Sequence, residues 1–227
     1  MILLPSPNAD ARQEGGVIDH LVLHYTGMQT AAAAIERLRD PAAKVSAHYV
    51  VDEDGTVYAL VAERLRAWHA GVSFWRGVTG LNDWSIGIEI VNPGHEWGYR
   101  PFPPAQIAAL LALCRGILAR HPIPACNVVG HSDIAPDRKQ DPGELFDWRV
   151  LAGQGVGIWT DEVVQGGDLM ADLAAIGYDV SLPEAIVITA FQRHFVPDRV
   201  TGRADEMTIG RAAALRDTLK NCTEMTV

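Results

Sequence analysis

Cysteine is scarce in this chain. Cys114, Cys126 and Cys222 are the only three in 227 residues, an odd count with no C-x-x-C spacing. Two of them fall in apolar segments, so buried thiols are expected and a disulfide scaffold is not. Positive charge is short as well: 19 Lys and Arg stand against 28 Asp and Glu, for a net charge of -9. Such a chain has no electrostatic footprint for nucleic acid or an anionic membrane surface. No apolar run approaches the length of a membrane span. The first residues, "MILLPSPNADARQEGG", have no basic segment and only four residues before Pro5, which is not the pattern of an export signal. The expectation is a cytoplasmic protein with no nucleic-acid or membrane partner.

Strand-like and helix-like pieces alternate through the first half. Residues 17–24 read as a buried strand, followed by "TAAAAIERLRD", with Thr30 as cap, an alanine-rich helix and a stop at Pro41. "AHYVVDEDGTVYALV" reads as two strands joined across Asp54 and Gly55. In "SIGIEIV", Ile86, Ile88 and Ile90 point one way while Ser85, Gly87 and Glu89 point the other. After Pro103 and Pro104, apolar residues recur at Ile107, Leu110, Leu111, Cys114, Ile117 and Leu118, which is helical spacing. "ACNVVG" is a short strand. The pattern predicts an α/β fold, a mixed central β-sheet flanked by helices, occupying residues 1–155. Residues 150–166 are glycine-rich and without period, as a linker would be. Three short amphipathic helices are expected beyond it, at 168–177, 183–195 and 208–219, forming a small independent three-helix domain over 166–224.

Three residues stand at element ends where side chains can converge. His24 closes the apolar run "VIDHLVLHYT", His131 follows "CNVVG", and Asp141 lies ten residues later in a turn marked by Pro142 and Gly143. Two imidazoles and a carboxylate leave a fourth tetrahedral position open, the arrangement of catalytic rather than structural zinc. Taken singly, each has a plainer reading: a core histidine for His24 and His131, a turn aspartate for Asp141. Glu89 alternates out of an apolar strand beside Gly87, which leaves space above the sheet. Near zinc it would take a proton from water; away from zinc it is a solvated carboxylate. Lys139 would steady an oxyanion or be a surface lysine in "DRK". Asp133 caps a turn or holds a ligand imidazole. The remaining histidines are read as structural, with His48 and His69 the best placed to line a cleft.

The segments "HYT" (24–26), "SAHYVVDEDGTVY" (46–58), "AWHAG" (67–71), "LNDWSIGIEIVN" (81–92), "VVGHSDIAPDRKQDPG" (128–143) and "FDW" (146–148) occur in this order. The series resembles the zinc N-acetylmuramoyl-L-alanine amidases of the type 2 amidase family, related to phage T7 lysozyme and the peptidoglycan recognition proteins. The resemblance covers residues 15–150. It implies Zn2+ held by His24, His131 and Asp141, Glu89 as the catalytic carboxylate and Lys139 as the oxyanion-stabilising cation. By motif position it implies Trp68, His69 and Asn82 in the substrate cleft. The phage branch carries a catalytic tyrosine where this chain has Ala47, which gives Glu89 more weight. The tail segments "LMADLAAIGYDV", "AFQRHF" and "GRADEMT" are similar to a three-helix peptidoglycan-binding domain. The implied reaction is hydrolysis of the amide between N-acetylmuramic acid, or its anhydro form, and L-alanine of the stem peptide, in cell-wall recycling or turnover. Peptidoglycan fragments (muropeptides) are the expected partners, with the intact polymer as a further candidate. A non-catalytic recognition module is the alternative, but those relatives typically lack the third zinc ligand. A structural zinc site would need a fourth cysteine or histidine at suitable spacing.

Overall fold

The computed structural model describes residues 1–224. Its strands are β1 (Ile2–Leu3), β2 (Ala9–Ala11), β3 (His20–Tyr25), β4 (Tyr49–Val51), β5 (Val57–Ala59), β6 (Leu65–Ala67), β7 (Phe74–Trp75), β8 (Val78–Thr79), β9 (Ser85–Ile90) and β10 (Val128–Gly130). Its helices are α1 (Ala31–Arg39), α2 (Gly94–Trp97), α3 (Pro104–Leu118), α4 (His131–Ile134), α5 (Trp148–Ala152), α6 (Leu169–Ile176), α7 (Glu184–Phe195) and α8 (Glu206–Glu224). Six strands form one mixed sheet in the order β1-β5-β4-β9-β3-β10, in which β4, β9, β3 and β10 run parallel. The β4–β5 pair is the expected antiparallel hairpin across Asp54 and Gly55. No helix among the described residues is long and apolar enough to cross a membrane.

The sheet's period of two sorts its side chains. Leu21 and Leu23 pair with Ile86 and Ile88 in register and share a core with Leu110, Cys114 and Ile117 of α3. The buried stripe of α3 also takes in Gln106 and Leu113, while Ile107, Leu111 and Leu118 are only partly buried. The opposite face carries His24 and Glu89, again in register. Beside them Val50 packs on Ile35 and Leu38 of α1, a helix opened by the Thr30 hydroxyl accepting from the Ala33 N–H at 3.2 Å.

Several boundaries differ from the sequence reading. The strand expected from residue 17 starts at His20, and "ACN" is a single 3-10 turn before β10. α8 runs beyond the expected 208–219 at both ends. The glycine-rich stretch is no bare linker: α5 opens it, and Leu151 and Val156 are fully buried in the core beneath α3. The three tail helices form where expected, but their apolar residues do not close on themselves. Leu173, Phe191 and Leu215 share one cluster with Val22, Trp75, Leu81, Val129 and Ile134. α6 has eight residues and α7 twelve, and their buried apolar side chains cluster with Val22 and Val129 of the sheet as well as with one another.

Candidate metal centre

His24, Glu89 and His131 leave the sheet at the C-terminal ends of parallel β3, β9 and β10, where open parallel sheets present their sites. His131 is the first residue of α4. Asp141 comes from the following loop and is fixed to it by the Ser132 N–H, which donates to the Asp141 carbonyl at 2.8 Å. The His24 and His131 Nδ1 atoms lie 2.9 Å apart, and Asp141 Oδ2 is 3.1 Å from each. All three side chains are buried.

The surrounding hydrogen bonds decide which of these atoms carry protons. The Ser85 hydroxyl is 2.6 Å from the Leu81 carbonyl, which can only accept, so Ser85 donates there and accepts from His69 Nε2–H at 3.1 Å. His69 Nδ1 is then an acceptor, and His24 Nε2–H donates to it at 3.0 Å. His131 Nε2–H donates to the Ala70 carbonyl at 3.2 Å. Both Nδ1 atoms are therefore bare lone pairs. Burial alone would raise the Asp141 carboxyl; positive charge on the adjoining His131 and His24 rings holds it well below the usual carboxylate range, and once those rings are neutral only a cation between them can do so. Burial, then His131, depresses His24 to about 4. Three proton-free donors in a near-equilateral triangle repel one another unless a cation lies between them. Their edges approach the roughly 3.3 Å edge of a tetrahedron with metal–ligand bonds of about 2.0–2.1 Å. The donor set fits a divalent metal, and among the described residues it is the one such cluster.

The triangle opens into a cavity of about 350 Å³ whose lining includes Arg37, Trp68, His69, Glu89, Arg138 and Lys139. Glu89 is half-buried, and its Oε2 is sealed from solvent with no hydrogen-bond partner. Burial and the nearby Asp141 push its carboxyl well above the ordinary value, against a smaller opposing pull from Lys139. The cavity thus holds basic side chains in a protein that is acidic overall.

The structure brings His24, His131, Asp141, Glu89 and Lys139 together. Of the three residues expected in the cleft, Trp68 and His69 line it and Asn82 does not. Asn82 Oδ1 instead accepts from the His69 and Ala70 N–H groups at 3.0 and 2.7 Å, holding the backbone that carries them. His69 spends both ring nitrogens on His24 and Ser85, so it orients His24 as well as lining the cavity. It lies flat over Gly87, where any Cβ would come within 2.4 Å of the ring. His48 is away from the cavity; its Nδ1 accepts from the Gly87 N–H at 3.0 Å. Arg37 and Arg138 were not singled out in the sequence, where an exposed arginine carries no local mark of facing a cavity.

Comparison with known proteins agrees with this geometry. The profile of a family described as N-acetylmuramoyl-L-alanine amidase (Amidase_2) matches residues 14–144. N-acetylmuramoyl-L-alanine amidase AmiD of Escherichia coli (strain K12) is 42% identical over 226 residues, covering 86% of this chain and 81% of AmiD. The structure of AmiD with the substrate anhydro-N-acetylmuramic acid-L-Ala-D-gamma-Glu-L-Lys superposes with a TM-score of 0.79 at 39% identity, covering 91% of this chain and 92% of that one. AmpDh3 of Pseudomonas aeruginosa in complex with anhydromuramic pentapeptide gives 0.81 at 34% identity, covering 96% and 99%. The 1,6-anhydro-N-acetylmuramyl-L-alanine amidase AmpD of Escherichia coli (strain K12) is 36% identical over 171 residues, 66% of this chain and 91% of AmpD. With the profile spanning over half of its residues and close relatives along most of its length, the chain belongs to the N-acetylmuramoyl-L-alanine amidase family.

Proposed function

We propose that the protein is a zinc-dependent amidase that cleaves the bond between the lactyl group of N-acetylmuramic acid, or its anhydro form, and L-alanine of the stem peptide. The observation that carries this is the triangle of proton-free donors from His24, His131 and Asp141 beside Glu89, whose buried Oε2 has no hydrogen-bond partner. Zinc suits two imidazoles and a carboxylate with one position open, and when bound it acidifies water and polarises a carbonyl. Glu89 accepts the proton of the attacking water and returns it to the leaving nitrogen of L-alanine. A carboxyl raised by burial is a stronger base and suits both steps. Lys139 Nζ faces the carbonyl oxygen as negative charge develops on it. Trp68 and His69 wall the cleft, and the basic lining favours a substrate that carries carboxylates.

Muropeptides are the substrate class this reading favours, as in the complexes of AmiD and AmpDh3. The division into a catalytic domain over 1–155 and a helical unit over 166–224 belongs to the same proposal. It is supported by a family match that ends at residue 144 and by the share of this chain that AmpD fills. A cytoplasmic setting, where released fragments are recycled, also belongs to it and is tested by fractionation with an activity assay on each compartment. The function is tested by mass spectrometry of products from anhydro-muropeptides, reduced muropeptides and intact sacculi. Release of free stem peptide, abolished by a chelator and restored by zinc, is the expected result. Substrate that remains intact with the metal-loaded protein would overturn it in favour of a recognition module.

A further inference from the structure

Asp133 is buried two residues beyond His131, with its side chain wholly shielded from solvent. Its Oδ2 accepts from the Gly130 N–H at 2.7 Å and from His194 Nδ1–H at 2.8 Å, and its Oδ1 accepts from the Tyr178 hydroxyl at 2.7 Å. Gly130 immediately precedes His131. A Cβ at Gly130 would fall 2.7 Å from Pro142 Cδ and 3.3 Å from both Asp133 Oδ2 and Trp148 Cζ2, so the backbone before His131 and the proline after Asp141 are in contact here. The Ser132 N–H closes the same knot on the Asp141 carbonyl. Two of the three donors to Asp133 come from the C-terminal tail, 45 and 61 residues away in sequence: Tyr178 in the loop after α6 and His194 in α7.

α4 is one turn of four residues, and a single turn has almost no stability of its own. What holds it is what Asp133 is tied to. A buried carboxylate that loses a donor keeps its desolvation cost and recovers nothing for it, so it moves toward another partner and takes the turn with it. His194 is locked between Trp148 and Phe195, with ring centroids 3.9 and 3.8 Å away. Tyr178 is locked against Trp75 and Phe191. Both donors are thus presented in fixed positions by the helical tail.

We infer that Tyr178 and His194 are positioning residues for the metal ligands His131 and Asp141, acting through Asp133, so that the C-terminal helices set the metal affinity of the catalytic half. This rests on the metal reading of the site but not on any amidase assay. The test is zinc affinity of the full chain, measured by competition with a chromophoric chelator, alongside circular dichroism to confirm folding. Tyr178→Phe removes one donor without changing shape. His194→Leu removes the other, and His194→Asn restores an N–H at the place of Nδ1. Asp172→Asn breaks the buried Asp172–Arg216 pair inside the tail without touching Asp133, and serves as the control for a merely weakened tail. Tyr178→Phe and His194→Leu are expected to raise the zinc Kd by about 10-fold, with His194→Asn closer to wild type and Asp172→Asn unchanged. If His194→Leu does not fold, Tyr178→Phe alone decides. An unchanged zinc Kd in Tyr178→Phe, or an equal loss in Asp172→Asn, overturns the inference. A wild-type chain that binds no zinc would overturn the metal reading and this inference together.

Discussion

Strands β3 and β9 turn one face to α3 and the other to the candidate metal centre, and the two faces are built on different terms. Toward α3 stand Leu21, Leu23, Ile86, Ile88 and Ile90, fully buried and without a polar atom. Toward the metal centre stand His24, Ser85 and Glu89, with Gly87 kept bare so that the His69 ring can lie over it. The first face needs only volume, and any loss there is a loss of apolar burial. The second needs each donor and acceptor in its place, because the chain from Leu81 through Ser85 and His69 to His24 sets which nitrogen is free. A strand's period of two lets one backbone serve both, since a change on one face leaves the other in register.

The largest effect that should separate the faces is loss of a ligand. His24→Ala, His131→Ala and Asp141→Ala are each expected to abolish zinc binding and turnover while the fold survives, read by metal analysis and circular dichroism. Full zinc and full turnover in any one of them would remove that residue from the ligand set. Next comes Glu89→Gln, which keeps shape but cannot take a proton. Turnover should fall by about 100-fold or more with zinc retained, and Lys139→Met should cost on the order of 3 kcal/mol of transition-state stabilisation, in kcat rather than KM. The α3 face should respond in reverse. Ile88→Ala is expected to lose about 2–5 kcal/mol of stability by chemical denaturation while zinc affinity and kcat hold. A loss of kcat there, with the fold intact, would show that the faces are not separable.

How much of this could be read from the chain follows the same division. The strand alternation, the α1 cap at Thr30 and the hairpin at Asp54 and Gly55 are local and were legible. The His24, His131 and Asp141 cluster was legible because the two histidines stand at the ends of apolar runs, the aspartate lies in a Pro-Gly turn, and six motifs stand in a known order. Asn82 was misplaced because motif position cannot tell a side chain in a cleft from one that holds the cleft's backbone. The tail's helices were legible from their stripes, but not their partner: nothing local says that Leu173 and Phe191 meet Val22 and Val129 of the sheet. The contacts of Tyr178 and His194 with Asp133 were illegible for the same reason, since sequence separation hides them.

The smallest effect sharpens the comparison, because only one face titrates. Burial keeps His24 depressed to about 4 and His48 to about 3, and it holds His69 well below its ordinary value. In the unfolded chain these histidines titrate near the ordinary imidazole value of 6.5. Between there and about 4 the unfolded state binds more protons, so their contribution is present at neutral pH and is lost as pH falls through that window. Glu89 works the other way. Its folded carboxyl is raised, so the folded state holds the extra proton above about 4.5, and its term improves as pH falls. Three histidines against one carboxyl leave a net loss of stability on acidification from pH 7 to 5. The measurement is chemical denaturation of the metal-free protein across that range. Glu89→Gln should steepen the loss, since it removes the opposing term, whereas Ile88→Ala should lower the whole curve without changing its slope. A metal-free wild type whose stability is flat from pH 7 to 5, or an Ile88→Ala curve of altered slope, would mean that the buried imidazoles are not held neutral by the face they stand on.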